Sequence, residues 1–166
     1  RNYRPLPAAS HHADGHNPLC GDQLAVYLQV ADGIVREASF VGHGCAISTA
    51  SASLMTETVK GKTPDQAKAL GTQFRELAMT GACPDCRAEF ADDMERLAPL
   101  SGVHEFPVRV KCATLAWHTL NAALDGTNGM ALDGEGLFHG AGHAAASLCD
   151  FNGDGYSDLA VGVPDE

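Results

Sequence analysis

The chain changes character near Asp125. Residues 1–124 carry 13 acidic and 11 basic side chains, whereas residues 125–166 carry 8 acidic and no basic ones. After the break comes TNGMALDGEGLFHGAGHAAAS, rich in Gly and Ala and without helical or strand periodicity. Residues 125–147 therefore read as a linker and 148–166 as a short acidic tail. With 166 residues and 45% hydrophobic content the chain can bury one ordinary core, which places the folded domain in residues 1–124. The formal charge of -10, with no Lys or Arg cluster, argues against a nucleic-acid partner. No stretch of about 18 apolar residues is present, and RNYRPLPAASHHADGH lacks a signal-peptide core, so no membrane role is expected. Cys20, Cys45, Cys83, Cys86, Cys112 and Cys149 lie far apart; without a secretion signal, metal or sulfur chemistry fits them better than a disulfide framework.

Two β-rich runs, Leu24 to Val30 and Ile34 to Phe40, flank Ala31-Asp32-Gly33 and predict a hairpin. After a turn at Gly42-His43-Gly44, Ala46 to Lys60 place Ile47, Ala50, Leu54 and Thr58 on one stripe. This predicts an amphipathic helix whose small Ala and Ser residues allow close packing on a sheet. Thr63-Pro64-Asp65-Gln66 reads as a capping box with Pro at the first helical position, and Ala67, Leu70, Phe74, Leu77 and Ala78 as the buried face that follows. A loop over Gly81 to Cys86 leads to a shorter helix near Ala88 to Leu97. Pro107 then opens a last helix with Cys112, Leu115, Ala116, Leu120 and Ala123 on one side. The layout is α+β, a small sheet followed by helices.

Asn17-Pro18-Leu19-Cys20-Gly21-Asp22 precedes the first clear strand, where Pro and Gly impose an irregular backbone that leaves a thiol and a carboxylate facing the same way. Cys45 falls between the second strand and its helix, where unpaired N–H groups and the helix dipole favour a thiolate. Cys112 lies in the first turns of the last helix, near Arg109 and Lys111. Three thiolates and one carboxylate suit a tetrahedral Zn²⁺ shell. A free cysteine is equally a small buried hydrophobe, and this spacing is no compact motif of the zinc-finger kind, so the residues alone leave both readings open. Cys83-Pro84-Asp85-Cys86 is a further C-x-x-C pair, able to bind metal or cycle as a dithiol. It has no second pair and no thioredoxin-like context, and reads as incidental. His11, His12, His16 and His43 flank the site and read as solvated; His43 alone is close enough in sequence to Cys45 to substitute as a ligand.

The strings NPLCGD, FVGHGCAISTASASLMTETVKGKT and FPVRVKCATLAWHTLNAAL resemble, in order, three signature blocks of the SufU branch of the IscU/NifU N-terminal domain family. The resemblance covers Arg1 to Leu124. It implies a three-stranded antiparallel sheet packed by helices, a metal site at one exposed end, and Cys20, Asp22, Cys45 and Cys112 as ligands. Lys111 stands where IscU scaffolds have a His, and the stretch from Cys45 to Cys112 has room for a SufU-type insertion holding Cys83 and Cys86; both features resemble SufU. In that branch a SufS-type cysteine desulfurase, which uses pyridoxal phosphate, docks on the zinc site. A desulfurase His displaces the first cysteine, which accepts persulfide sulfur bound for downstream Fe–S scaffold proteins. The resemblance thus implies Cys20 as sulfur acceptor, zinc retained by Asp22, Cys45 and Cys112, and Arg109 as electrostatic support. It also implies a family helix ahead of a segment like RNYRP, which the chain is expected to lack.

In the tail, Asp150, Asn152, Asp154 and Asp158 offer oxygen ligands at a spacing suited to Ca²⁺. An EF-hand needs an acidic residue at the twelfth position, where Val161 stands. Followed by the strand-like LAVGVP, the segment resembles one incomplete FG-GAP repeat of the integrin α-subunit type. A single propeller blade cannot bury its faces, so the tail is expected to be an appendage. The longer resemblance sets the expected compartment as the cytoplasm, although FG-GAP repeats usually belong to extracellular proteins. Three functions are expected: a zinc-dependent sulfur acceptor and transfer partner of the desulfurase; a scaffold holding iron or a [2Fe–2S] cluster on the same ligands; and, from another class, a fragment of a secreted calcium-binding FG-GAP protein.

Overall fold

Alternating burial sets up the sheet. In β2 (Asp22–Ala31), Leu24, Val26 and Leu28 are buried, and in β3 (Ile34–His43) so are Val35, Ala38 and Phe40. The computed structural model describes residues 1–18 and 20–127, and the backbone of 144–147 and 159–162. The expected hairpin is present: Asp32 and Gly33 take φ of 53° and 72°, the pair of positive values that a two-residue turn between twisted strands requires. The turn expected at Gly42-His43 is instead the end of β3. β1 (His11–Asn17) pairs antiparallel with β2, so the sheet order is β1-β2-β3. Ala13 lies opposite Val26 and Val26 opposite Phe40, forming one inward row. Ahead of the sheet, the Phe40 N–H donates to the Asn2 carbonyl (3.1 Å) and the Arg4 N–H to the Phe40 carbonyl (2.9 Å), which lays residues 2–4 along the free edge of β3.

Helices pack on the inward face, completing the expected α+β arrangement. The buried face of α1 (Ala46–Thr58) differs from the expected stripe. Ala50 is exposed and Ile47 and Leu54 are half-buried, whereas Ser48, Ser51, Ala52, Met55, Thr56 and Thr58 are buried. The cause is the partner: α1 packs on α4 (Pro107–Asp125) as well as on β3. Ser51 Oγ donates to the Ala113 carbonyl (2.5 Å) and accepts from Trp117 Nε1 (3.2 Å), so a small polar residue is satisfied where two helices come close.

α2 (Pro64–Thr80) begins with the expected capping box: Gln66 N–H donates to Thr63 Oγ1 (3.2 Å) and Thr63 N–H to Gln66 Oε1 (3.0 Å). The residues expected to be buried in α2 and α4 are buried. Phe74 stacks on the fully buried Trp117 with ring centroids 4.9 Å apart, and Lys68 pairs with Asp125, so the two helices run antiparallel. Between them lie a 3₁₀ turn (Ala88–Phe90), α3 (Ala91–Leu97) and a second 3₁₀ segment (Ala98–Glu105). The pair Lys62–Asp93 (2.6 Å), both side chains under one-fifth exposed, fastens this insertion beside the start of α2.

Residues 132–166 form a separate unit containing an antiparallel pair, β4 (Ala144–Ser147) with β5 (Leu159–Gly162). β5 is the expected LAVGVP strand. β4 falls in the stretch read as a linker without strand periodicity; three alanines and a serine carry no alternation, and pairing with β5 defines the strand. Asp150, Asn152, Asp154, Asp158 and Cys149 lie outside the described residues. Among the described residues, no helix is long and apolar enough to cross a membrane.

β1 approaches α4 most closely at Gly15, where a Cβ would lie 2.0 Å from Thr119 Oγ1. Gly15→Ala is therefore expected to destabilise the domain by about 1–3 kcal/mol in urea unfolding. Gly102→Ala, at a position with nothing within 4 Å, should change the midpoint little.

Candidate metal centre

Three chain segments end at one place. Asn17 pairs with Asp22, which places the β1–β2 connection between them; Gly21, at φ 74°, donates its N–H to the Asn17 carbonyl (2.8 Å). This turn leaves Cys20 exposed and Asp22 only 3% exposed. At the second segment, Cys45 caps α1: its backbone is extended and its Sγ accepts from the Ser48 N–H (3.4 Å). Its own N–H donates to Asp22 Oδ1 (3.0 Å). The third segment is the second turn of α4, which carries the fully buried Cys112 with its Sγ 3.7 Å from that of Cys20.

The sulfurs of Cys20 and Cys112 and a carboxylate oxygen of Asp22 all lie within 4.8 Å of one another. The Cys45 sulfur lies outside this group, held at the cap of α1 by the Ser48 N–H, while its backbone N–H ties the same residue to Asp22. Arg109 is exposed in the first turn of α4 and makes no side-chain hydrogen bond or ion pair among the described residues; Lys111 is half-buried. His43 is exposed at the end of β3, and His12 stacks on Tyr27 with centroids 6.2 Å apart, so neither joins the group. Cys83 and Cys86 are bonded to each other as a disulfide, which removes the metal-binding reading of that pair, since both sulfurs are used.

Burial pushes the Asp22 carboxyl up, but the hydrogen bond from the Cys45 amide and the neighbouring thiols of Cys20, Cys112 and Cys45 hold it below its ordinary value. Burial also pushes the Cys112 thiol well above the ordinary range, reinforced by its hydrogen bonds with Cys20, Cys45 and Asp22. Among the described residues, Asp22 Oδ2 is buried without a hydrogen-bond partner. An ionised carboxylate with one bare buried oxygen among thiols is an incomplete arrangement that a thiophilic cation completes, and the donor set fits Zn²⁺. A Cβ on Gly44 would lie 3.0 Å from Asp22 Cγ and Oδ1, so that glycine makes room for the carboxylate.

Residues 1–130 match the NifU-like N-terminal domain family. The chain belongs to that family. Residues 141–166 match the FG-GAP repeat. The chain is 40% identical over 107 residues to the zinc-dependent sulfurtransferase SufU of Bacillus subtilis, and 37% identical over 109 residues to the iron-sulfur cluster assembly scaffold protein IscU of Streptococcus pyogenes serotype M1. These matches cover 64% and 66% of the chain, and 69% and 65% of the relatives, so the chain spans about two thirds of the length of each. A crystal structure described as an iron-sulfur cluster assembly scaffold protein for the SUF system, from Fervidobacterium islandicum AW-1, superposes with a TM-score of 0.67 at 28% identity. It covers 75% of this chain and 87% of that one.

Of the four residues expected as donors, Cys20, Asp22 and Cys112 come together and Cys45 stands beside them; Gly44 was not among the expected residues, and its signal was its place directly before the cysteine in GHGC. Gly44→Ala is expected to lower zinc affinity by about 10–100-fold, as loss of a supporting contact does, read by competition with a chromophoric chelator. Because Cys112 must shed its proton to become a ligand, zinc uptake should release protons, and affinity should fall from about pH 8 to about pH 6. Titration in weakly buffered solution measures both.

Proposed function

We propose that the chain is a zinc-binding sulfur acceptor in iron–sulfur cluster assembly, which takes persulfide sulfur from a SufS-type cysteine desulfurase onto Cys20. The observation that carries this reading is the gradient within the donor group: Cys20 is exposed, Cys45 half-buried, and Cys112 and Asp22 buried. An incoming persulfide meets the residue on the exposed turn first. The Cys20 thiolate attacks the terminal sulfur of the desulfurase persulfide, the sulfur–sulfur bond there breaks, and the desulfurase cysteine leaves as a thiolate. Cys20, Asp22, Cys45 and Cys112 are the residues that would hold Zn²⁺, which when bound would keep these thiols deprotonated. Arg109, exposed three residues before Cys112 and without an ion pair among the described residues, is a cation available to the charge of the arriving sulfur. The name of the Bacillus subtilis relative supports this reading, which places the chain in the cytoplasm, upstream of Fe–S scaffold proteins.

The scaffold reading, iron or a [2Fe–2S] cluster on the same four residues, has support from the Streptococcus relative. Lys111 ahead of Cys112, in place of the His that resembles an IscU scaffold, favours the sulfur acceptor. The secreted calcium-binding reading rests on residues 141–166 and the oxygens of Asp150, Asn152, Asp154 and Asp158 alone. We assign the activity to residues 1–124 and read the remainder, whose β4 and β5 pair with each other, as an appendage.

Cys20→Ser should abolish added sulfur after incubation with a SufS-type desulfurase and cysteine, while Cys45→Ala should abolish stoichiometric zinc. Non-reducing mass spectrometry and metal analysis read the two outcomes. Added sulfur on Cys112 with Cys20 untouched would overturn the assignment. A chain ended near Asp125 should bind zinc and stimulate the desulfurase as the full chain does; marked loss of either would tie the tail to the site.

A further inference from the structure

We infer that Cys83 and Cys86 form a two-electron redox centre whose dithiol form takes the sulfane sulfur of a persulfide and releases it as sulfide. The inference rests on the sulfur-acceptor reading above and adds the step which that reading lacks. Sulfur carried as a persulfide is two electrons more oxidised than the sulfide of a cluster, and a dithiol holds two electrons.

Four observations support it. The pair is a disulfide, whereas Cys20, Cys45 and Cys112 are free, so the loop separates a redox pair from a metal-binding set. Glu76 Oε2 lies 3.7 Å from the Cys83 sulfur. An oxidised sulfur has no hydrogen to offer, so the carboxylate is placed for a partner that exists only after reduction, a Cys83 thiol. Both cysteines are half-buried and packed against the core, while Pro84 and Asp85 between them are exposed; the Cys86 N–H donates to the Cys83 carbonyl (3.3 Å), a turn that keeps the two sulfurs adjacent.

Finally, the loop sits at the metal-centre end of the fold. α2 and α4 are antiparallel, with Phe74 level with Trp117 and Gly81 beside His104, just ahead of the start of α4. At about 1.5 Å of rise per residue, the end of α2 lies about 9 Å beyond Phe74, and Cys112 about 8 Å from Trp117 in the same direction.

The chemistry closes in two steps. The Cys86 thiolate attacks the terminal sulfur of the persulfide on Cys20; the Cys20–sulfur bond breaks, Cys20 leaves as a thiolate, and Cys86 carries the persulfide. Cys83 then attacks Cys86 Sγ, giving its proton to Glu76, and hydrosulfide leaves as the Cys83–Cys86 bond forms. The structure holds this oxidised product. An external dithiol of the thioredoxin class restores the pair by thiol–disulfide exchange, itself becoming a disulfide.

The test uses the full zinc-loaded chain, reduced with dithiothreitol, freed of it without oxygen, and given glutathione persulfide. Sulfide release is expected together with a new Cys83–Cys86 disulfide, read by differential alkylation and mass spectrometry. In C83S/C86S the added sulfur should remain on Cys20, with at least about tenfold less sulfide. Glu76→Gln should slow release at least about tenfold, as loss of a general base does, and shift the equilibrium with dithiothreitol toward the disulfide. Equal sulfide release from C83S/C86S, thiols persisting at Cys83 and Cys86 after release, or a disulfide that excess dithiothreitol cannot open in the folded chain would each overturn the inference. Sulfide release by the parent with no sulfur ever found on Cys20 in C83S/C86S would instead sink the acceptor assignment and leave the dithiol reaction standing.

Discussion

The hydrogen bond from the Cys45 amide to Asp22 Oδ1 joins the first residue of β2 to the cap of α1, 23 residues later. A buried carboxylate must be compensated, and here the compensation arranges the site. The amide occupies one oxygen, while Oδ2 is left without a hydrogen-bond partner among the described residues. Gly44 supplies the room, because any larger residue would press on the Asp22 side chain. The strand end, the helix cap and the glycine before it thus answer to a single charge.

The remaining donors differ in what surrounds them. Cys20 rides on a turn that faces solvent, and Cys112 is enclosed by α4 and the sheet. Enclosure makes the Cys112 proton hard to remove, while exposure leaves Cys20 open to other molecules. One sulfur is suited to holding and the other to exchanging, a division set by packing rather than by chemical identity.

Much of the fold was legible because local signals agreed with the tertiary outcome. Thr63 to Gln66 fixed the start of α2, Pro107 that of α4, and Asp32-Gly33 the hairpin. α1 was misread because apolar periodicity cannot register a serine that is buried and satisfied by Trp117 and Ala113. β1, HHADGHN, has little strand character of its own and exists through pairing with β2 and the close approach of Gly15 to α4. At the candidate metal centre the spacing of the cysteines alone left a buried-hydrophobe reading open, and the family resemblance supplied the expected donors. The offset of the Cys45 sulfur and the Cys83–Cys86 bond depend on three-dimensional placement that no spacing encodes.

Cys20 and Cys112 are separated by 92 positions, and the helix that carries the second is the last element of its unit to be synthesised. A nascent chain that has made the sheet and α1 therefore displays Cys20 and Cys45 without their buried partner. Docking of α4 brings the buried thiol to the other two, so a metal held by this set would be captured only at the end of folding. A chain stalled on the ribosome before Pro107 would hold loose thiols without their third partner.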